Sequence, residues 1–349
     1  MQALNYILGQ HHAERTTDFT NLKLYHFVPW SPPVTSLLTP APGAQYHAKM
    51  RTRTVHLLLL FTALLPAQPK PPSSRAMEAK IQSAISRFKG RVWLYATNLD
   101  TGASYGLREN EKVRTASTIK LPILVAVHAA VEAGKANWTD LIPLAESEKV
   151  YGSGVLSEFT GGQSFQLRDL CNLMIVVSDN TATNLILDRF TAGYVNEVMD
   201  SLKLPNTRSM RKIMGSRGPE GLSEAGASEE NKRFGIGSST PREMVSLLEG
   251  LRAGTVISPV ASKAILDVMK RQQYKDGIGR KFDDRTPVMS KSGSLDALRS
   301  DLGLIFSPAG KFAISITVDD MPLKDYSPDN IGNKLISELT GYLLAGLGK

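Results

Sequence analysis

The 349-residue sequence contains one cysteine, Cys171, and six histidines, of which only His128 follows residue 56. A single cysteine excludes an internal disulfide, and the apolar setting of Cys171 in LRDLCNLMIVV is typical of a buried thiol. The same shortage excludes a zinc site that needs several His or Cys ligands beyond residue 56. The sequence therefore predicts no metal and no other cofactor.

The sequence also lacks a long hydrophobic run and a cluster of charges of one sign. The apolar segment Leu57–Leu65 covers about nine residues, which is too short for a transmembrane helix. The 41 Lys and Arg against 33 Asp and Glu give a net charge of +8, but these charges are scattered and no basic run is interleaved with aromatics. We therefore expect no membrane span in the mature protein and no nucleic-acid partner. The modest positive charge suits small anionic substrates or an anionic cell envelope.

Residues 50–67 are predicted to be a secretory signal peptide. Arg51 and Arg53 form a positive segment, Leu57–Leu65 the apolar segment, and Pro66-Ala67 a small-residue exit. The predicted location is therefore periplasmic or secreted. Two explanations of residues 1–49 stay open: translation starts at Met50 and the upstream part is a gene-start error, or the extension is genuine.

The remaining sequence divides into a short linker and one domain. Residues 68–75 contain three prolines and are predicted to be a disordered linker. Residues 76–349 have an ordinary globular composition and are long enough for one large domain or two interleaved subdomains. The default oligomeric state is a monomer.

Strand patterns lie at both ends of this domain, and helical patterns lie between them. RVWLYATNLDTGASYGL predicts a hairpin around Asp100-Thr101-Gly102, and TPVMSKSG, RSDLGLIFS and KFAISITVD predict late strands. Helices are predicted at 76–88, 117–133, 167–177, 181–190, 240–252, 259–271 and 331–347. This order implies a sheet assembled from both ends of the domain and interrupted by an all-helical insertion. The cleft between the two parts is the default place for a site.

The pattern Ser-x-x-Lys occurs three times, beginning at Ser86, Ser117 and Ser209. Only Ser117 begins a helix that is apolar on all sides. Lys120, three residues later, lies on the same face of that helix. Burial or nearby cations can lower the pKa of a lysine, and a neutral amine can take the proton of a serine. His128 is eleven residues from Ser117, about 16 Å along a helix, so a Ser-His-Asp triad on Ser117 is excluded.

Two further motifs follow in the chain. Ser178-Asp179-Asn180, which ends an apolar helix, is the only Ser-x-Asn in the sequence. Lys291-Ser292-Gly293 ends a strand, and its glycine permits a close approach of a ligand to the backbone. The three motifs begin 61 and then 113 residues apart, and each alone is also compatible with an ordinary turn or helix start.

In this order, the motifs resemble those of the class A β-lactamases and related penicillin-recognising serine hydrolases. Pro122 after STIKL, the run SDNTATNLIL and the helix start STPREM are similar to family sequence. The resemblance covers residues 76–349. It implies an α/β (α+β) fold with a five-stranded antiparallel sheet flanked by helices, built from both termini, with an inserted all-helical subdomain.

The same resemblance implies roles for individual residues. Ser117 is similar to the acylated nucleophile and Lys120 to its proton acceptor. Ser178 corresponds to the proton relay to the leaving nitrogen, and Asn180 to the partner of the substrate's side-chain amide. The implied substrate is a small-molecule β-lactam.

Further residues are expected to bind the substrate. Lys291 and Ser292 of the K-S-G motif resemble the binders of its carboxylate, a role that suits a cation and a hydroxyl. Gly293 permits close approach, and the backbone N–H groups of Ser117 and Ser294 are the expected oxyanion hole. Arg299 is a candidate second cation.

The sequence departs from the family at the glutamate that activates the deacylating water. The segment GPEGLSEAGASEENKRFGIGSSTP lacks a clear Glu-x-x-Leu-Asn. Glu230, beside Asn231, is the first candidate, with Glu220 and Glu224 as alternatives. With such a glutamate the protein is a β-lactamase that turns over; without one it is a penicillin-binding transpeptidase, carboxypeptidase or slow serine hydrolase. A non-catalytic module that binds the cell envelope is a third, remote alternative.

Overall fold

The structure is a computed structural model that describes residues 75–213 and 221–348. The predicted signal peptide, nearly all of the linker and Glu220 lie outside the described residues. None of the helices within these two ranges has both the length and the apolar character that crossing a bilayer requires.

The described residues form nine α-helices and ten strands, with short 3₁₀ turns between some of them. The helices are α1 (Arg75–Ser86), α2 (Lys120–Glu132), α3 (Leu167–Val176), α4 (Asn180–Phe190), α5 (Ala192–Ser201), α6 (Glu224–Ala227), α7 (Pro241–Ala253), α8 (Pro259–Met269) and α9 (Ile331–Leu347). The strands are β1 (Arg91–Asn98), β2 (Ser104–Leu107), β3 (Val113–Arg114), β4 (Leu141–Pro143), β5 (Ser164–Gln166), β6 (Arg208–Ser209), β7 (Gly237–Ser239), β8 (Val288–Leu295), β9 (Leu298–Ser307) and β10 (Gly310–Asp319).

The main sheet confirms the predicted fold class. Its five strands lie in the order β2-β1-β10-β9-β8, and every neighbouring pair is antiparallel. The predicted β1–β2 hairpin is also confirmed. Asn98 Oδ1 accepts the backbone N–H of Asp100 at 2.9 Å, and Gly102 has a φ of 77°, which suits glycine. Strands from both ends of the domain therefore complete one sheet.

The two faces of the sheet are covered by different helices. Leu94 and Ile316, which are cross-strand partners on β1 and β10, contribute to a core with α1 and α9. Leu302 and Leu304 of β9 contribute to a second core with α2, α7 and the inserted helices. Because side chains alternate between faces along a strand, two apolar faces require strands buried throughout, and β9 and β10 are buried along most of their length.

The insertion is mainly helical, as predicted, but also contains short strands that were not predicted. β3, β7 and β6 form a three-stranded sheet, and β4 pairs with β5. Helix α5 was also missed. Helix α2 runs through the interior, and its residues from Lys120 to His128 are all buried. An apolar helix surrounded by other elements fits this position.

Candidate active site

The turn that carries Ser117 joins β3 to α2. Ala116 has a φ of 48°, in the left-handed region that costs a non-glycine residue about 1–2 kcal/mol, and a 3₁₀ turn over Ala116–Ile119 follows. The backbone N–H of Lys120 donates to the carbonyl of Ser117. Side chains at positions i and i+3 of a 3₁₀ turn eclipse one another, so this turn is compatible with the predicted proximity of Ser117 and Lys120.

Lys120 is fully buried at the start of α2. Its Nζ donates to the Ser178 carbonyl at 2.6 Å, to Ser178 Oγ at 3.2 Å and to Asn180 Oδ1 at 2.9 Å. Burial lowers its pKa well below the usual value, and the positive charge of Lys291 lowers it further, whereas Asp179 acts in the opposite direction. A lysine in this environment can act as a proton acceptor.

Ser178 lies at the junction of α3 and α4 with a φ of 54°. Its hydroxyl accepts from Lys291 Nζ at 3.0 Å as well as from Lys120 Nζ at 3.2 Å. The two lysines predicted from separate motifs therefore meet at one serine hydroxyl. Sequence spacing did not reveal this contact, because the residues lie on α2, on β8 and in the loop between two further helices.

Asp179 is a residue of the site that sequence reasoning did not assign a role. It caps α4, with Oδ1 accepting the N–H of Ala182 at 2.8 Å, and Oδ2 accepts the N–H groups of Val155 and Leu156, both at 2.7 Å. The carboxylate therefore ties the loop before α3 to the segment that carries Ser178. An aspartate immediately before a helix is a common N-cap, and that signal could have found the first of these contacts.

Asn180 is oriented by the same loop. Its backbone N–H donates to Ser153 O at 3.0 Å and its Nδ2 to Tyr151 O at 3.2 Å, while Oδ1 accepts from Lys120. Tyr151 itself is exposed. The loop over residues 150–158 therefore forms one wall beside Ser178 and Asn180.

The opposite wall is β8, an edge strand of the main sheet. A Cβ on Gly293 would lie 2.8 Å from Thr115 O and 2.9 Å from Ser117 N, so only glycine lets β8 approach the turn that carries Ser117. This contact brings the backbone N–H of Ser117 close to the strand that continues to Ser294. Ser292 is half-buried and Ser294 is exposed.

Lys291 is fully buried, and its Nζ also donates to Ser292 O at 2.7 Å. Burial lowers its pKa to about 7, and the nearby carboxyl of Asp301 partly offsets that effect. Burial likewise raises the pKa of Asp301 to about 7. Asp301 Oδ2 accepts the N–H of Ile278 at 2.9 Å, and Oδ1 has no partner among the described residues.

Three other predicted residues make no side-chain hydrogen bond or ion pair with Lys120, Ser178 or Lys291 within the described ranges, although Arg299 is the cross-strand partner of Ser294. The guanidinium of Arg299 donates to the carbonyls of Leu295 and Leu298, both at 2.6 Å, and to the carbonyl of Asp325. Glu230 is exposed on a 3₁₀ turn whose Asn231 and Phe234 are buried, and Glu224 is exposed at the start of α6. The carboxylate that does influence the pKa of Lys120 is Asp179.

Comparison with known proteins agrees with the fold. Residues 76–345 match the model of the β-lactamase enzyme family, and the chain belongs to that family. A β-lactamase of Rhodobacter capsulatus is 26% identical over 255 residues, which cover 72% of this chain and 81% of the relative. The resemblance to class A β-lactamases, and the prediction of an enzyme of that class, are thereby confirmed at the level of the family.

Solved structures show the same fold. The β-lactamase from Sphaerobacter thermophilus superposes with a TM-score of 0.66 at 30% identity, covering 77% of this chain and 96% of the other. The structure of PBP-A gives a TM-score of 0.67 at 24% identity, covering 80% and 98%. The fold is therefore shared by a protein named as a β-lactamase and by the protein named PBP-A.

Proposed function

We propose that the protein is a serine β-lactamase that opens the β-lactam amide by forming an acyl-enzyme on Ser117. One observation carries the proposal: Nζ of Lys120 and Nζ of Lys291 lie 3.2 and 3.0 Å from Ser178 Oγ, and Lys120 directly follows the turn that carries Ser117. A buried amine, a relay hydroxyl and a second cation in one cluster are the groups that acyl transfer without histidine needs.

In the acylation step, Lys120 as a neutral amine takes the proton of Ser117 Oγ, which attacks the lactam carbonyl carbon. The developing oxyanion is stabilised by the N–H groups of Ser117 and Ser294. When the C–N bond breaks, Ser178 gives its proton to the leaving nitrogen and is reprotonated from Lys120 or Lys291. The product of this step is an ester between Ser117 and the opened ring.

Substrate binding is assigned to the walls of the same cleft. Lys291 and Ser292 bind the substrate carboxylate. Burial destabilises the positive charge of Lys291, and the negative charge of the carboxylate offsets part of that cost. Asn180 donates to the side-chain amide of the substrate once Tyr151 O is released or shared. Arg299 stays a candidate second cation, since three of its five N–H groups donate to carbonyls and two are left for a carboxylate.

Deacylation decides between this function and a second candidate. Hydrolysis requires a water activated by a carboxylate, for which Glu230 is the first candidate and Glu220 and Glu224 are the alternatives. The exposure of Glu230 and Glu224 favours, as the second candidate, a penicillin-binding enzyme of the carboxypeptidase or transpeptidase type. A structurally similar PBP-A variant has been solved as an acyl-enzyme with penicillin G. A non-catalytic envelope-binding module has no such observation in its favour.

A chromogenic cephalosporin distinguishes these functions. A β-lactamase releases many product equivalents per enzyme at a constant rate. A penicillin-binding enzyme gives a burst of about one equivalent followed by a slow phase, and a binding module gives no release. A burst alone would replace the first proposal with the second.

Export and the monomeric state belong to the same proposal. If residues 50–67 are a signal peptide, cleavage follows Ala67 and the exported protein begins near Gln68. Intact-mass measurement of protein from the periplasm or the medium tests this, and retention of Met1 there would contradict it. Light scattering after gel filtration tests the monomer.

A further inference from the structure

A second cavity of about 340 Å³ lies between α2, α3 and α8, outside the serine–lysine cluster. Leu124 and His128 of α2 and Cys171 and Asn172 of α3 contribute to its walls, whereas Ser117, Lys120, Ser178 and Lys291 do not. His128 follows Lys120 by eight residues, which is about 12 Å along a helix. The cavity therefore belongs to the helical part of the domain and requires its own explanation.

The interior of this cavity is apolar and has an aromatic corner. Leu124 and Val268 line it from two helices, and the neighbouring thiol of Cys171 has its pKa raised by burial and so stays uncharged. The rings of His128 and Trp138 meet edge to face, with centroids 4.6 Å apart. Flat aromatic groups pack well in such a corner.

One polar group in the wall has no protein partner. His128 is 8% exposed, and no hydrogen bond within residues 75–213 and 221–348 engages its imidazole. Burial lowers its pKa to about 4, so the ring is neutral at pH 7 and offers one donor and one acceptor. Its nitrogens are not among the fully buried atoms that lack a partner, so solvent reaches them, and the polar end of a ligand in the cavity can form a hydrogen bond with one of them.

The mouth of the cavity carries positive charge. Arg168 is exposed and forms no ion pair in the described part of the chain. Arg271, in the turn that follows α8, donates from Nη2 to Asn172 Oδ1 at 2.8 Å and so spans the mouth towards α3. The carboxylate of Asp267 is paired with Lys263 at 2.6 Å, which leaves the two guanidiniums in excess. The charge at the mouth therefore selects an anion.

From the apolar walls, the unpartnered His128 and the two guanidiniums, we propose that this cavity binds a small aromatic carboxylate. The rings lie against Leu124, Val268 and the aromatic corner, and the carboxylate lies at the mouth near Arg168 and Arg271. A dry cavity of about 150 Å³ holds one benzene, so 340 Å³ has room for two fused rings and a carboxylate. This site does not depend on the proposed catalytic function.

Calorimetric titration of the full chain with 2-naphthoate tests the proposal. Ala264, in the cavity wall on α8, is only partly buried, so Ala264→Trp fills the cavity at little cost to folding. We expect Ala264→Trp to weaken binding by at least about tenfold. Arg168→Glu should weaken the binding of 2-naphthoate about two- to fivefold, the range for an exposed charge pair. The neutral isostere 2-naphthylmethanol should bind more weakly than 2-naphthoate by a similar factor.

Two controls distinguish this cavity from the serine–lysine cleft, which could also attract a carboxylate. Lys291→Ala removes the predicted carboxylate-binding cation of the cleft and should leave the affinity for 2-naphthoate unchanged. Arg285→Glu reverses an exposed charge whose ion pair is with its own neighbour Asp283, and should also leave it unchanged. Loss of binding in Lys291→Ala, unchanged binding in Ala264→Trp, equal affinity for the alcohol, or no binding at millimolar 2-naphthoate would each overturn the proposal.

Discussion

Gly154 lies so close to Asp179 that a Cβ at position 154 would be 2.2 Å from Asp179 Oδ2. The same oxygen accepts the N–H groups of Val155 and Leu156. Gly154 also has a φ of +100°, which other residues rarely adopt. Gly154 and Asp179 therefore act together to hold the loop over 150–158 against Ser178 and Asn180.

Gly154→Ala is expected to separate this loop from the segment that carries Ser178. The clash forces Asp179 to move, and loss of its buried hydrogen bonds should cost about 2–4 kcal/mol of the free energy of unfolding. Acylation by a fluorescent penicillin should slow about tenfold or more, because misplaced groups raise its activation free energy by about 1.4 kcal/mol. Gly162→Ala is the matched control, since its φ is +89° but its Cβ would meet open space. Equal effects of the two variants on acylation would show that backbone strain, not the contact with Asp179, matters.

Ser117→Ala should abolish covalent labelling by a fluorescent penicillin. Ser86→Ala and Ser209→Ala, which alter the other two Ser-x-x-Lys patterns, should label normally. Lys120→Ala should slow acylation by about 10²- to 10⁴-fold, the usual contribution of a positioned general base. Labelling should also persist in a chelator. Loss of activity in EDTA with recovery on adding zinc would contradict the proposed mechanism.

Glu230→Gln should trap a penicilloyl adduct on Ser117 if Glu230 orients the deacylating water, because acylation uses other groups. Mass spectrometry would detect the adduct, and wild type should show little of it at steady state. Glu220→Gln and Glu224→Gln should turn over normally. An adduct in one of these two variants would move the role to that glutamate, and a wild-type adduct that persists for hours would favour the penicillin-binding function.

The pH dependence of kcat/KM should report Lys291. Since its pKa is lowered to about 7, Lys291 loses its proton as the pH rises through 7, and binding of the substrate carboxylate weakens. We therefore expect kcat/KM for a penicillin to fall above pH 7, because this ratio reports the free enzyme. In Lys291→Arg, whose guanidinium stays charged, the fall should disappear, as it should for the methyl ester of the same penicillin. A fall at the same pH in Lys291→Arg would assign it to another group.

His128 should make stability depend on pH. Its folded-state pKa of about 4 lies below the unfolded value of 6.5, so the unfolded state binds the proton first and stability falls as the pH drops from 6.5 towards 4. Between pH 8 and 5 this amounts to about 2 kcal/mol of the free energy of unfolding. Urea denaturation of His128→Gln, compared with wild type at both pH values, isolates this effect. If the free energy of unfolding changed equally with pH in both proteins, the assignment of this effect to His128 would be wrong. Asp301, whose raised pKa acts in the opposite direction, is present in both.

The main sheet and most helices could be predicted because their signals are local. The hairpin follows from the turn at Asp100–Gly102, and α7 starts where Thr240 caps it and Pro241 occupies its first turn. Helix α5 was missed although Thr191 accepts the N–H of Tyr194, because Gly193 interrupts its first turn and weakens the pattern. The short strands were missed because two- and three-residue strands carry no detectable alternation.

The motif residues of the candidate site were found from the sequence, but their contacts were not. Lys120 and Lys291 both donate to the hydroxyl of Ser178, although the two lysines are 171 positions apart in the sequence. No local sequence pattern encodes this arrangement. Arg299 shows the converse case. An arginine near a binding strand suggests a ligand, yet its guanidinium is engaged by the carbonyls of Leu295, Leu298 and Asp325. The position of Glu230 on an exposed turn also depends on loop geometry.

The pairing of β1 with β10 constrains when the domain can form. Asn98 of β1 faces Phe312 of β10, and its side chain also donates to the Leu347 carbonyl at the end of α9. During synthesis, β1 emerges more than 200 residues before its partner, and until then the backbone N–H and C=O groups on that edge of β1 lack the partners that β10 supplies. Closing so long a loop makes folding slow and late. The complete five-stranded sheet therefore cannot form until β10 has been synthesised.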